Sequence, residues 1–162
     1  MLNTFLFYYY LIHIPITILI DASVIIPTKY HTLLTTTLLE FHTSQNNDIL
    51  LLHPQTWFKT FIAIECFVQL PLFCYFVAQH LRHQLDVGYY LWSVIYGFNA
   101  SFTTFVCLVH IIVDGNGVEF GLSQSETIKL CGIYLPYLII PLIILINGFN
   151  HIMKGDYKVK KD

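Results

Sequence analysis

The chain has 162 residues, of which 56% are hydrophobic and 11% are charged, and its mean hydropathy is +0.62. Soluble domains carry about a quarter charged residues because their surfaces face water. This composition therefore excludes a water-soluble globule and indicates a surface that faces lipid. The net charge of −2 provides no basic excess to neutralise phosphates, which excludes nucleic-acid binding. At this length we expect a single domain over residues 1–162.

Four apolar stretches are long enough to cross a bilayer, which takes about 20 mostly apolar residues. The first has neither a basic leading segment nor a small-residue cleavage site, so we expect a retained helix rather than a secretory signal. The predicted fold class is an all-α membrane protein, a four-transmembrane-helix bundle. The predicted spans cover residues 2–20, 58–78, 88–113 and 130–149.

The connections between the spans and the charges beside them predict the topology. The long first connection contains a segment, residues 30–41, that we expect to form a short interfacial helix. An even number of spans places both termini on one side of the membrane. Positive charge favours the cytosol, so we predict cytosolic termini and a cytosolic tail over residues 150–162. The terminal side carries Arg82, Lys154, Lys158, Lys160 and Lys161, whereas the other side carries only Lys29, Lys59 and Lys129.

The cysteines give no sign of a metal site or a disulfide framework. All of them lie in apolar runs and none belongs to a C-x-x-C pair. We interpret them as small apolar packing residues and expect neither a metal nor a cofactor. They are Cys66, Cys74, Cys107 and Cys131.

Two carboxylates are predicted at similar depth in neighbouring spans. Glu65 lies six residues after Lys59, which places it about 9 Å into the second span, and Gln69 follows at i+4 on the same face. The first span runs in the opposite direction and carries Asp21 at its lumenal end. A polar stripe on that span consists of His13, Thr17 and Asp21, spaced four residues apart.

Polar and aromatic groups of the other spans complete a predicted cavity. The fourth span brings Tyr134 and Tyr137 early, and the third brings Asn99 near mid-membrane, with Thr103 and Thr104 close by. Two carboxylates in a low-dielectric site do not both ionise cheaply, so we expect them to share a proton. Such a pair beside aromatic faces suits a cation, and an apolar lining suits a sterol-like amphiphile.

Plainer interpretations of the same residues stay open at this point. Asp21 alone is compatible with a helix-end residue that faces water, and Glu65 alone with a group bonded to a neighbouring helix. The prolines in the spans are compatible with simple kinks, although kinks also open cavities. The coincidence of two carboxylates at one depth favours the functional interpretation.

Three motifs, in order along nearly the whole chain, resemble the sigma-2 receptor family, whose EXPERA-domain members are endoplasmic-reticulum proteins related to the emopamil-binding sterol isomerases. The low Lys and Arg content and the polar turn at residues 44–48 are similar to fungal members of the efficient-mitochondria-targeting-associated type. The motifs are His13-Ile14-Pro15-Ile16-Thr17 with Asp21, Trp57-Phe58-Lys59 with Glu65 and Gln69-Leu70-Pro71, and Tyr134-Leu135-Pro136-Tyr137 continuing to Pro141.

The resemblance implies an EXPERA-like bundle, often dimeric, with a pocket that opens sideways into the bilayer. It assigns the amine-binding carboxylate to Asp21 and a partner carboxylate to Glu65, and it loosely assigns Asp48 as a further acidic residue. His13, Gln69 and Tyr137 match other lining positions. Fungal members are linked to the handling of mitochondrial precursor proteins.

The third span departs from the isomerase branch of the family, which carries an acidic residue there. Residues 88–113 contain no carboxylate, so we expect no catalytic residue and keep a sterol Δ8–Δ7 isomerase as the alternative. The tail places Lys158 and Lys160 in a K-x-K-x-x arrangement typical of endoplasmic-reticulum retrieval signals. The sequence thus predicts a non-enzymatic, multi-pass binding protein of the endoplasmic reticulum. Its expected partners are a sterol or lipophilic amine, the bilayer, a second copy of the chain, and membrane or precursor proteins.

Overall fold

A computed structural model of the chain describes residues 2–155, and their regular structure is helical throughout. Four segments are long and apolar enough to cross a membrane, which confirms the predicted fold class. The Lys158 and Lys160 signal lies outside the described residues. The spans are Leu2–Val24, Thr56–Leu81, Val87–Asp114 and Gln124–Lys154.

The helices are numbered here in chain order. The first span consists of α1 and a 3₁₀ turn, and the second consists of two α-helices joined by one π-helical turn. The third and fourth spans are single helices. The elements are α1 (Leu2–Leu19), the 3₁₀ turns Asp21–Val24 and Thr28–Tyr30, α2 (Leu33–Asn46), α3 (Ile49–Leu52), α4 (Thr56–Ile64), the π-turn Glu65–Gln69, α5 (Leu70–Leu81), α6 (Val87–Asp114) and α7 (Gln124–Lys154).

Capping side chains set the helix ends, and they move two boundaries from the predicted ones. The connection helix α2 begins after Thr32, whose hydroxyl accepts a bond from the Thr35 amide, and it ends at Asn47, which has a left-handed φ of 47°. It therefore begins three residues after, and ends five residues after, the segment predicted at residues 30–41. The fourth span begins before the predicted residue 130, because Ser123 and Glu126 form a capping box at the start of α7.

The helices α6 and α7 pack closely along much of their length, whereas α1 packs mainly on α5. Two glycines permit the α6–α7 approach. A β-carbon at Gly97 would lie 2.6 Å from the Pro141 carbonyl oxygen, and one at Gly148 would lie 2.9 Å from the Tyr90 carbonyl oxygen. Small residues of this kind let transmembrane helices pack backbone against backbone.

A proline inside α7 frees one backbone carbonyl, and α6 supplies its replacement donor. Pro141 has no N–H to donate to the Tyr137 carbonyl one turn earlier. The Thr104 hydroxyl of α6 donates to that carbonyl at 3.3 Å. Hydroxyl side chains satisfy freed carbonyls in this way where no water is at hand.

Two clusters of buried side chains form the core. The tyrosine-rich cluster lies between α1, α5, α6 and α7 and contains Leu6, Tyr9, Tyr10, Leu72, Phe73, Phe76, Tyr89, Tyr90, Tyr96, Ala100 and Ile144. The mostly aliphatic cluster lies toward the connection helices and contains Ile49, Leu50, Phe58, Ile62, Cys107, Ile111, Leu122 and Leu130.

Candidate ligand-binding site

A cavity of about 190 Å³ lies inside the bundle, and all four spans contribute to its lining. Six of the eight predicted ligand-binding residues line it. Among the residues that sequence reasoning missed are Tyr9, Tyr96 and His42. The predicted lining residues are His13, Asp21, Glu65, Gln69, Tyr134 and Tyr137.

The carboxyl groups of Asp21 and Glu65 are neighbours in the wall of this cavity. Asp21 opens the 3₁₀ turn that follows α1, and Glu65 opens the π-turn of the second span. Protein surrounds both side chains, yet each keeps some accessible surface because it faces the cavity. The predicted juxtaposition of two carboxylates at one depth is thus present in the structure.

The carboxyl pair has no cationic side chain beside it among residues 2–155. The ion pairs in that part of the chain are His42 with Asp48 and His110 with Asp114. The Thr17 hydroxyl donates to Glu65 Oε1 at 3.1 Å, which is a neutral contact. Charges inside a membrane protein are normally paired with one another, and within residues 2–155 this carboxyl pair has no such partner.

The π-turn determines how the second span presents its polar residues. The Leu70 amide donates to the Glu65 carbonyl five residues earlier instead of four. Pro71 follows at once and cannot donate to the turn before it, which favours a local break in the α-helical pattern. Both Glu65 and Gln69, at the two ends of this turn, line the cavity. Turns of this kind recur at functional sites.

Two predicted lining residues lie behind the wall instead of in it. Thr17 is fully buried and bonds to Glu65. Asn99 accepts a bond of 2.8 Å from Gln69 Nε2. Neither is among the residues that line the cavity. Both are bonded to residues that do line it, and their contact with a ligand stays a prediction.

Aromatic groups of α1, α6 and α7 also line the cavity. The hydroxyl oxygens of Tyr9 and Tyr96 lie 2.7 Å apart, and His13 Nδ1 donates to the Tyr9 carbonyl at 2.7 Å. The rings of His13 and Tyr137 meet edge to face, with centroids 5.7 Å apart. Tyr9 lies four residues before His13, so extending the polar stripe by one turn would have found it.

Asp48 joins the connection helices to the cavity wall. This side chain is completely buried. Its Oδ1 caps α3 by accepting from the Leu50 amide at 3.0 Å, and its Oδ2 accepts from His42 Nε2 at 3.0 Å and from the Tyr134 hydroxyl at 2.9 Å. His42 and Tyr134 both line the cavity, so Asp48 positions two wall residues without lining the cavity itself.

Four helices that can span a membrane, with an internal cavity and a carboxyl pair in its wall, define a class of multi-pass membrane protein. The family model described as EXPERA (EXPanded EBP superfamily) matches residues 34–148, and the chain belongs to this family. The resemblance noted in the sequence is therefore confirmed.

Curated relatives match most of the chain. It is 36% identical over 147 residues to efficient mitochondria targeting-associated protein 19 of Saccharomyces cerevisiae, which covers 85% of this chain and 91% of that protein. It is 29% identical over 154 residues to sigma intracellular receptor 2 of Xenopus tropicalis, covering 91% and 87%. The human receptor of the same name is 29% identical over 148 residues, covering 85% and 81%.

Proposed function

We propose that this chain is a binding protein of the endoplasmic-reticulum membrane that holds a lipophilic amine or a sterol-like amphiphile in its cavity. It acts through partner proteins, in sterol homeostasis or in the handling of mitochondrial precursor proteins. The neighbouring carboxyl groups of Asp21 and Glu65 carry this proposal, because they face the cavity and form no ion pair within residues 2–155.

In this proposal the two carboxyl groups have different roles, which the resemblance to the sigma-2 receptor family suggests. Two adjacent carboxylates in a low-dielectric site repel each other, so they share one proton when no ligand is bound. Asp21 acts as the ionised counter-ion for the ligand amine, and Glu65 acts as its protonated neighbour. The aromatic wall of Tyr9, Tyr96 and Tyr137 supports a cation through its ring faces and covers an apolar body.

The test is radioligand binding of a lipophilic amine to detergent extracts of matched variants. Asp21→Asn keeps the shape and removes the charge, so we expect roughly a hundredfold loss of affinity or more. Glu65→Gln is expected to cost less, because the amide still offers a hydrogen-bond donor. Glu119→Gln, on the exposed connection between α6 and α7, is the control and should bind like the wild type. Equal, minor losses at Asp21 and Glu65 would assign both carboxylates a structural role.

Precursor handling is the second candidate, and the name of the Saccharomyces cerevisiae relative supports it. Mitochondrial targeting segments are amphipathic and rich in arginine, and a cation-binding cavity suits such side chains. Crosslinking of the purified chain to unimported precursors should then be weakened by Asp21→Asn. Crosslinking that is unchanged in that variant would place precursor contact elsewhere on the chain.

Sterol isomerisation is the alternative activity, since the family name includes the EBP superfamily. We propose that the chain lacks this activity, because residues 88–113 of α6 carry no carboxylate. We expect purified protein to produce no migration of a sterol Δ8 double bond. Product formation that Glu65→Gln abolishes would establish an enzyme.

The proposed orientation places both termini in the cytosol, as the distribution of basic residues favours. A tag added after Asp162 should then be digested by protease added to intact microsomes.

The proposed retrieval signal of Lys158 and Lys160 lies in the proposed cytosolic tail. Replacing both with serine should let part of the protein leave the endoplasmic reticulum, whereas wholly reticular fluorescence would rule out a necessary role for the signal.

A further inference from the structure

His42 brings a titratable side chain into the wall of the ligand cavity from outside the four spans. It lies on α2 and lines the same cavity as the carboxyl pair of Asp21 and Glu65. Its side chain is 26% exposed, whereas His13, the other histidine of the wall, is only 9% exposed. Histidine is the side chain whose ordinary pKa lies between about pH 5 and 8. The connection helix therefore offers this cavity a charge that changes with pH.

The bonds around His42 suit both protonation states of its ring. Nε2 lies 3.0 Å from Asp48 Oδ2, which accepts a bond from the neutral ring and forms an ion pair with the charged ring. Nδ1 lies 3.4 Å from Asn46 Nδ2. That amide donates to the neutral ring and, turned over, accepts from the charged ring through its oxygen. His42 can therefore gain a proton without any movement of α2.

Carboxylates dominate the surroundings of His42. The helix α2 packs on α1 and α7. Asp48 contacts the ring directly and also interacts electrostatically with Asp21, which follows α1. The Tyr134 hydroxyl of α7 donates to the same Asp48 oxygen at 2.9 Å. The other charged groups near α2 are Glu40 on its exposed side, Lys129, which bonds to the Gln45 carbonyl, and Glu126, which accepts from Asn47.

We propose that protonation of His42 lowers the affinity of the cavity for a cationic ligand, so that the site releases its ligand at acidic pH. This inference rests on the proposed function, in which Asp21 holds a ligand amine. A proton on His42 offsets the negative charge of Asp48 and adds positive charge to the wall that the ligand faces. The proton and the ligand thus compete for one negative potential while they occupy different atoms. Such coupling is reciprocal, so a bound amine must also favour loss of the proton from His42.

The test is the binding of an aliphatic amine that stays protonated throughout, measured at about pH 7.5 and about pH 5.5. As the pH is lowered, we expect wild-type protein to lose roughly tenfold more affinity than His42→Gln. The substituted amide keeps an N–H donor toward Asp48 but does not titrate. The Asp21–Glu65 pair is present in both proteins, so its own titration cancels in this difference. His53→Gln is the control, because His53 is exposed in the same connection and does not line the cavity. It should keep the wild-type pH profile.

The outcomes separate this inference from the proposed function. Wild-type protein and His42→Gln that lose affinity equally on acidification, or that differ by the same factor at both pH values, would show that His42 is not a switch while the amine site stands. Absence of amine binding in every protein at both pH values would instead overturn the proposed function, and this inference with it.

Proton release on binding provides a second measurement. Calorimetric titration of the wild-type protein near about pH 6.5, in two buffers of different ionisation enthalpy, counts the protons released per bound amine. We expect a net release of up to about one proton, and clearly less from His42→Gln. Binding of the amine to wild-type protein without any proton release would overturn the inference even if the variant fails to fold. Equal release from both proteins would overturn it as well.

Discussion

The α6–α7 interface and the interface between α1 and the second span differ in how the helices contact each other. The first relies on glycines that bring backbone against backbone, at Gly97 and Gly148. The second contains the Thr17–Glu65 bond, a π-turn and the two carboxyl groups that line the cavity. Regular helices pack tightly, whereas a break in the helical pattern leaves room and turns polar groups inward. In this bundle one pair of helices packs closely and lines part of the cavity, and the other pair brings the two carboxyl groups to it.

The largest expected effect comes from adding a side chain where the backbones of α6 and α7 approach each other most closely. Gly97→Leu places a side chain where even a β-carbon would lie 2.6 Å from backbone oxygen, so we expect a loss of more than about 3 kcal/mol of stability and little folded protein. Gly132→Leu is the control, because a β-carbon there meets nothing within 4 Å. Yield and Tm in detergent measure both, and similar behaviour of the two variants would contradict the stabilising role of this interface.

The next prediction compares two helix-capping residues, of which only Asp48 also contacts residues of the cavity wall. Asp48→Ala and Asp86→Ala each remove an N-cap bond, at α3 and α6 respectively, which costs about 1 kcal/mol. Asp48→Ala also leaves His42 and Tyr134 without their partner, so we expect a total of about 3 kcal/mol.

Ligand binding provides the sharper contrast between these two variants. Only Asp48→Ala should weaken amine binding, because only Asp48 positions residues of the cavity wall. Equal losses of affinity in both variants, measured at matched amounts of folded protein, would show that the effect is one of general stability.

The π-turn can be tested by removing its additional residue. Deleting Phe67, which is 77% exposed, lets the second span continue as a regular α-helix and changes the direction of Glu65 relative to Gln69. We expect a folded protein with roughly tenfold weaker amine binding, which corresponds to the loss of one interaction. Deleting the exposed Phe102 from the regular helix α6 should instead prevent folding. Unchanged binding after deletion of Phe67 would mean that the π-turn does not shape the site.

The smallest expected effect concerns the hydroxyl that contacts Glu65. Thr17→Val keeps the volume of this fully buried side chain and removes the bond of 3.1 Å to Glu65 Oε1. We expect the loss of this bond to weaken amine binding by about 1 kcal/mol, which is roughly fivefold in affinity. Thr17→Ser keeps the hydroxyl and should restore binding, and a serine variant as weak as the valine variant would point to packing instead of the bond.

The sequence predicts the fold class because burial in lipid leaves an unmistakable hydrophobic pattern, and it predicts the α1 stripe because i, i+4 spacing is a property of the α-helix. The π-turn escapes such reasoning, since it results from a shift of backbone hydrogen bonds that leaves hydropathy unchanged. The contribution of His42 also escapes it. That side chain reaches the cavity only because the left-handed Asn47 and the cap at Asp48 fold α2 back over the bundle.

Thr17 and Asn99 show a different limit. Spacing correctly puts Thr17 on the same face as His13 and Asp21, but a stripe does not distinguish a residue in the cavity wall from one immediately behind it. That distinction depends on neighbouring helices, here on Glu65 and Gln69, which lie between these residues and the cavity.

The bond from Thr104 to the Tyr137 carbonyl has a consequence for how this chain can change over time. While Pro141 is present, losing the hydroxyl at position 104 removes the donor that replaces the missing amide at the Tyr137 carbonyl. If position 141 first acquires a residue with an amide hydrogen, the helix satisfies its own carbonyl and position 104 becomes free to vary. The two substitutions are therefore tolerated in one order and penalised in the other, so chains that descend from this one should lose the proline before the threonine.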